Sequence, residues 1–257
     1  MIVLLSPAKD LATEVPRGIT GCTQPVLLEH SAPLIAKLRG LSEKRLMKLM
    51  GISPKLAALN YGRYASWSTP FTTANARPAA FVFNGEAYRG LSARTLEKAD
   101  LGFAQHHLRI LSGLYGVLRP LDLVQDYRLE MGTPLTVGRA KNLYAYWRKR
   151  ITERLLIDLD ANGSNTVINL ASSEYSKAVD TKALGARIIA PVFKDRTATG
   201  YKMVMVFAKH QRGAMARHMI THRILDAEKL KGYTGDGYRF EASESSAEEW
   251  VFLRDRK

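Results

Sequence analysis

A single α/β domain, built on a mixed β-sheet with helices around it, is what the sequence predicts, on three observations. Apolar runs of strand length alternate with stretches of helical period along the whole chain. No low-complexity linker or internal repeat interrupts that alternation. The length, 257 residues, suits a sizeable core, and 46% hydrophobic with 24% charged residues is ordinary for a soluble globular protein. One domain over residues 1–257 is therefore expected, with a projecting subdomain near 41–66.

Ile2 to Leu5 read as a buried first strand, followed by a loop, Ser6-Pro7-Ala8-Lys9, at its C-terminal end. The opening apolar run is too short for a signal peptide or a membrane span, so a cytoplasmic location is expected. Residues 10–25 carry Pro16, Gly18, Gly21 and Pro25 and read as a loop. Helical spacing runs from Leu27 to Leu38 and stops at Gly40. Beyond a polar loop, Ala79 to Phe83 read as a strand ending at Asn84-Gly85, and Ser92 as the cap of a helix through Ala99. Leu108 to Leu111 form another strand, with a second extended run near Tyr127-Arg128-Leu129. A long helix is predicted from Asn142 to Leu159, then a strand from Val167 to Leu170. Ile188–Phe193 and Met203–Phe207 read as two strands joined through Thr199-Gly200, followed by a helix to Ile224. Tyr238–Phe240 and Trp250–Leu253 make a closing β-hairpin.

Residues 41–66 give the sharpest local signal. Ser42 can cap one helix, Gly51 can end it in a left-handed conformation, Ser53 can cap the next, and Pro54 suits its first position. Gly51, Ile52, Ser53 and Ala57 resemble the helix-hairpin-helix pattern, with serine in place of the commoner second glycine. Such a hairpin aims backbone N–H groups at a phosphate, and nearby lysines add charge. Between Lys37 and Arg63 seven basic residues (Lys37, Arg39, Lys44, Arg45, Lys48, Lys55, Arg63) stand against Glu43 alone. The competing reading is an ordinary αα-hairpin with a solvated basic face.

Charge narrows the function. The chain carries 38 Lys+Arg against 24 Asp+Glu, a formal net charge of +14, which attracts polyanions or phosphorylated substrates. A second basic concentration lies between Lys194 and Arg217, where six basic residues face Asp195 alone. Cys22 is the only cysteine, which excludes an internal disulfide and a cysteine-based zinc site. Ser6 and Lys9 match S-x-x-K, but the S-D-N and K-T-G partners of penicillin-recognising enzymes are missing. His106-His107 point to different faces, and His218 and His222 lack the H-E-x-x-H glutamate, so both pairs read as structural. No metal site and no cofactor is expected.

The stretch from His107 to Leu135 draws attention for its glycines after a strand and its arginines beside them. Gly113, Gly116, Arg119 and Arg128 there are candidates for holding an anion. The competing reading is a buried strand, a tight turn and a second strand, with the arginines reaching solvent.

Several segments together resemble the YaaA family of bacterial peroxide-stress proteins. They are LLSPAK (4–9), FVFNGEAYRGL (81–91), HLRILSGLYGVLRPLDLVQDYRLEMG (107–132), VINLASSEYSKAV (167–179), APVFKD (190–195), AKHQRGAMAR (208–217) and the GY…GYRF tail (232–240). The resemblance implies a cytosolic protein that limits peroxide damage, partly by lowering free iron. It also implies a helix-hairpin-helix element and a positively charged cleft in a single-domain α/β fold. Carried over position by position, it marks Ser6, Lys9, Asn84, Tyr88, Ser112, Tyr115, Arg119, Arg128, Glu130, Asn169, Ser172, Glu174, Tyr175, Lys209 and Arg212. His210 departs from the family, which has a second lysine there.

Two functional expectations follow. The first is a monomeric cytosolic DNA-binding protein of the oxidative-stress response. Lys44, Lys48, Gly51, Ile52, Ser53 and Lys55 would grip backbone phosphates by structure rather than sequence. The rest of the marked set would line a basic cleft. The alternative is an enzyme acting on a phosphorylated or nucleotide-like substrate at the strand ends, with Lys9, Tyr88, Glu130 and Glu174 as candidate catalytic groups. An iron-binding role has no Cys cluster or 2-His-1-carboxylate pattern to support it.

Overall fold

The computed structural model of the protein describes residues 1–16 and 18–255. Its first strand, β1 (Ile2–Leu5), is buried along its whole length and lies inside the sheet, as four consecutive apolar residues require. The chain then leaves the sheet. α1 (Ser31–Arg39) turns Leu34, Ile35 and Leu38 inward, and α2 (Glu43–Met50) and α3 (Pro54–Ser66) form an αα-hairpin. The Ser42 hydroxyl accepts the Arg45 N–H at 3.4 Å, and the Ser53 hydroxyl accepts the Leu56 N–H at 3.3 Å. Gly51 stands between them at φ +61°, a conformation that disfavours any side chain. Leu46, Ile52, Ala57 and Tyr64 bury the hairpin's inner side.

β2 (Arg77–Pro78), α4 (Ala79–Val82), α5 (Glu86–Leu91) and α6 (Lys98–His107) bring the chain back to β3 (Leu108–Ser112). β4 (Gly116–Leu118) and β5 (Leu123–Val124) follow, then α7 (Leu143–Ala161), β6 (Thr166–Asn169), α8 (Ser173–Ser176) and α9 (Thr181–Leu184). β7 (Arg187–Thr197), β8 (Gly200–Lys202), α10 (Met205–Thr221), β9 (Arg239–Phe240) and β10 (Glu249–Arg254) complete the chain.

Eight strands make one mixed sheet in the order β4-β3-β1-β6-β7-β10-β9, with β8 added to β7. β3, β1, β6, β7 and β10 run parallel, while β4, β8 and β9 are antiparallel to their neighbours. Val3 sits opposite both Leu108 and Ile168, so β1 is enclosed on each side. β2 and β5 pair separately. α7 carries the predicted stripe of Leu143, Tyr146, Trp147, Ile151, Leu155 and Leu159 inward. Each such buried side chain contributes roughly 1.5–3 kcal/mol.

Four local readings are corrected. Ala79–Val82 is a helical turn, closed by the Phe83 N–H donating to the Ala79 carbonyl at 3.3 Å, while the Ala79 and Ala80 N–H groups donate to the carbonyls of Asp122 and Pro120. Ser92 ends α5 at φ 46° instead of starting a helix, and Glu97 and Asp100 form the capping box of α6. Met203–Phe207 is not a strand. Gly200–Lys202 is the return strand of that hairpin, and Met205 and Val206 open α10 with 54% and 47% of their surface exposed. Tyr127–Leu129 lies outside every strand, and β4 supplies the strand that pairs with β3.

α5 and α10 cross with their backbones touching. A Cβ on Gly213 would lie 1.6 Å from the Ala87 carbonyl oxygen, and one on Gly90 would lie 2.1 Å from that of His210. Only glycine permits this approach, and it fixes the residues of α10 against the segment Asn84–Arg89.

Candidate functional site

β1 and β6 are parallel neighbours, so the loops leaving their C-terminal ends meet; β3 flanks β1 on the other side. A reversal of strand order of this kind opens a crevice at the strand ends. Here it is a cavity of about 380 Å³. β1 supplies Ser6 to Asp10, β6 and α8 supply Leu170, Ser172, Glu174 and Tyr175, the α5 segment supplies Asn84 to Arg89, and α10 supplies Lys209 and Arg212.

The floor is tied by hydroxyls. The Ser6 hydroxyl accepts the Ser172 N–H at 2.8 Å and donates to the Ser172 hydroxyl at 3.2 Å, joining the two loops. Tyr88 donates its hydroxyl to the Ser6 carbonyl at 2.9 Å. Burial pushes the Tyr88 phenol well above its ordinary value, with Tyr127 and Tyr175 nearby adding to the effect. Tyr175 is raised by burial and then by Tyr127, Glu174 and Glu130. Both phenols stay protonated at neutral pH and serve as hydrogen-bond donors.

The charges of the cavity are partly spent among themselves. Lys9 pairs with Glu130 at 2.7 Å, Glu130 also takes Arg128 at 2.9 Å, and Arg89 pairs with Glu86. Glu130 and Arg128 line a small crevice that shares Pro7, Ala8, Lys9 and Tyr175 with the cavity. Glu174 accepts the Gly132 N–H on one oxygen at 3.0 Å, and its other oxygen has no partner among the described residues. Lys209 and Arg212 make no ion pair and no side-chain hydrogen bond among the described residues. Burial lowers the Arg212 guanidinium from its usual value, yet it remains charged at any physiological pH. A desolvated cation without a counter-ion attracts an anion strongly.

Other marked residues lie elsewhere. Ser112 and Tyr115 are fully buried: the Ser112 hydroxyl accepts the Leu114 and Tyr115 N–H groups, and the Tyr115 hydroxyl donates to the Gln125 carbonyl at 3.2 Å. Gly113 is glycine because a Cβ would meet the Leu129 carbonyl at 2.2 Å, a packing reason and not a ligand's approach. Arg119 is committed to the buried Asp122 at 3.0 Å and to the Gln24 carbonyl at 3.2 Å. Asn169 accepts the Ala171 N–H and shapes the turn after β6. These five do not line the cavity. Nor does His210, whose ring nitrogens lie 3.9 Å from Glu86 and 3.8 Å from Asp236. The rings of His218 and His222 lie 4.2 Å apart at a tilt of 39°, with the His222 Nδ1 2.9 Å from the His218 carbonyl.

The hairpin is a second, separate feature. Lys44, Lys48, Gly51, Ser53 and Lys55 are exposed, whereas Ile52 is buried, and none of the six lines the cavity. The Gly51 and Ile52 N–H groups both donate to the Met47 carbonyl, so they are not free to hold a phosphate. The Ser53 and Lys55 N–H groups make no hydrogen bond among the described residues.

The sequence profile of the peroxide stress protein YaaA family matches residues 1–244. The chain belongs to that family. Among its relatives is a UPF0246 protein of Chromobacterium violaceum, 50% identical over 257 residues and covering 100% of both chains. Another, from Neisseria meningitidis serogroup B, is 48% identical over 257 residues, covering 100% of this chain and 99% of its own. A third, from Cupriavidus metallidurans, is 49% identical, with 99% and 98% covered. Family membership supports a role in peroxide stress. Among the described residues no helix is long and apolar enough to cross a membrane.

Within this YaaA-family chain, sequence reading missed Asp10, Glu86 and Arg89 as cavity residues. Their signal was present, since Glu86 and Arg89 lie in the same FVFNGEAYRGL segment that marked Asn84 and Tyr88. Asp10 is held beside them by the Asn84 N–H, which donates to its carbonyl at 2.9 Å.

Proposed function

We propose that the protein serves the peroxide-stress response by binding DNA in the cytoplasm, as a monomer, through the α2–α3 hairpin acting as a helix-hairpin-helix element. One observation carries this reading. Lys44, Arg45, Lys48 and Lys55 surround the hairpin without a single ion pair among the described residues, while cations elsewhere are widely paired. The free Ser53 and Lys55 N–H groups, at the N-terminus of α3, add donors directed at a phosphate oxygen. Contacts of that kind read backbone geometry and not base sequence. In electrophoretic mobility shifts with duplex, bubble and single-stranded probes, replacing Lys44, Lys48 and Lys55 together by Glu abolishes binding on this account. Full binding by that variant, with its thermal unfolding unchanged, would defeat it.

A second reading is favoured by Arg212, a desolvated and unpaired cation lining a cavity with an available carboxylate. On this reading the strand-end cavity, extended by Lys209, is a basic cleft that holds a phosphorylated or nucleotide-like substrate. Lys9, Tyr88, Glu130 and Glu174 are its candidate catalytic groups. Glu174, with one oxygen free, serves as the base on this reading.

A further inference from the structure

We infer that the strand-end cavity is shaped for one nucleotide unit, with the phosphate on Arg212 and Lys209 and the nucleoside's donors on Glu174. This deepens the second reading above and rests on it. Four features of the cavity point the same way. Its cations without counter-ions among the described residues, Lys209 and Arg212, come from α10, three residues apart on one helix, so they present charge together. Its available acceptors are carboxylates, the free oxygen of Glu174 on α8 and Asp10 in the loop after β1, and a carboxylate recognises N–H or O–H groups and repels a second anion. The lining also offers apolar surface, from Pro7, Ala8, Ala87 and Leu170, together with Tyr88 and Tyr175. The volume, about 380 Å³, falls within the roughly 300–1,000 Å³ of organic-ligand pockets and is far more than an inorganic oxyanion needs.

A ligand that satisfies all four carries an anion, hydrogen-bond donors and apolar surface. A nucleoside monophosphate has this form: the phosphate meets the guanidinium and ammonium, the base packs on the tyrosines, and sugar hydroxyls or a base amino group donate to Glu174. Inorganic phosphate leaves the carboxylate and the apolar lining without a partner. The same unit can come from a free mononucleotide or from the phosphorylated end of a DNA strand.

Calorimetric titration of the full chain tests this with inorganic phosphate, adenosine 5′-monophosphate, and a short single-stranded oligonucleotide with and without a 5′-phosphate. The monophosphate is expected to bind at least about tenfold more tightly than phosphate, the return on adding one charge-assisted contact set. Arg212→Gln should weaken the monophosphate by about as much, Arg212→Lys should recover part of that loss, and Glu174→Gln should weaken the monophosphate and spare phosphate. Circular dichroism and thermal melting show that the variants are folded. Displacement of the monophosphate by the 5′-phosphorylated oligonucleotide, and not by its unphosphorylated form, assigns the site to strand ends; failure of both to displace it assigns the site to free nucleotides. Either result supports the inference. Equal affinity for phosphate and the monophosphate would overturn the nucleotide assignment while leaving an anion site. Binding of none of the probes would remove the second reading as well.

Discussion

Eight tyrosines are buried among the described residues, and their protons follow from where they sit. Tyr64, Tyr88, Tyr115, Tyr127 and Tyr175 are all buried, and burial holds every one of these phenols above its ordinary range. Their hydroxyls are also used: Tyr127 bonds Ser112 at 2.6 Å, and Trp67 Nε1 donates to Tyr115 at 3.2 Å. A phenol whose folded value is raised favours the folded state fully below its unfolded value, near pH 10, and that advantage disappears as pH climbs toward the folded value. Stability is therefore expected to fall from about pH 10 upward. Phenolate absorbance should appear in two stages, exposed tyrosines first and the buried ones only as helical circular dichroism is lost. A single smooth titration with the fold intact would contradict their placement. Residue-scale reading of the sequence separated poorly here, because Ser112, Tyr115 and Arg119 carry the same polar atoms whether they face a ligand or satisfy the core.

Elements whose signals are local were legible. Ser42, Gly51, Ser53, Pro54 and Asn142 act on backbone groups within a turn of themselves, and each stands at the helix end its chemistry favours. Runs such as Ala79–Phe83 and Met203–Phe207 were not, since four or five apolar residues fit a helical turn as well as a strand, and tertiary packing decides. The α5–α10 crossing also lay beyond sequence reading, because a glycine inside a helix does not say what approaches it. Gly213→Ala places its methyl against the Ala87 carbonyl and forces the two helices apart. A loss on the order of 3 kcal/mol in urea unfolding is expected. Because the crossing positions Arg212, ligand affinity at the cavity should fall in any fraction that remains folded. An unchanged unfolding midpoint would show that the helices do not touch as described.

At the scale of the whole molecule, the interleaving of strands and helices gave the α/β class, and the parallel core with antiparallel edges bears it out. The cavity could be anticipated only as a set of strand-end residues. Its assembly depends on β6 lying next to β1 across 160 residues of intervening chain, a pairing that no local pattern encodes. The net charge of +14 divides unevenly over this frame: among the described residues the hairpin keeps its lysines unpaired, and the cavity likewise keeps Arg212 and Lys209 unpaired. DNA binding through that hairpin is the central claim, and its salt dependence tests it most directly. Each neutralised phosphate contributes about −0.9 to the slope of log association constant against log salt concentration. The wild-type chain should show a steep negative slope on duplex DNA, and replacing Lys44, Lys48 and Lys55 together by Gln should make it shallower by about 2 to 3. A slope near zero, or one left unchanged by the substitutions, would contradict the account.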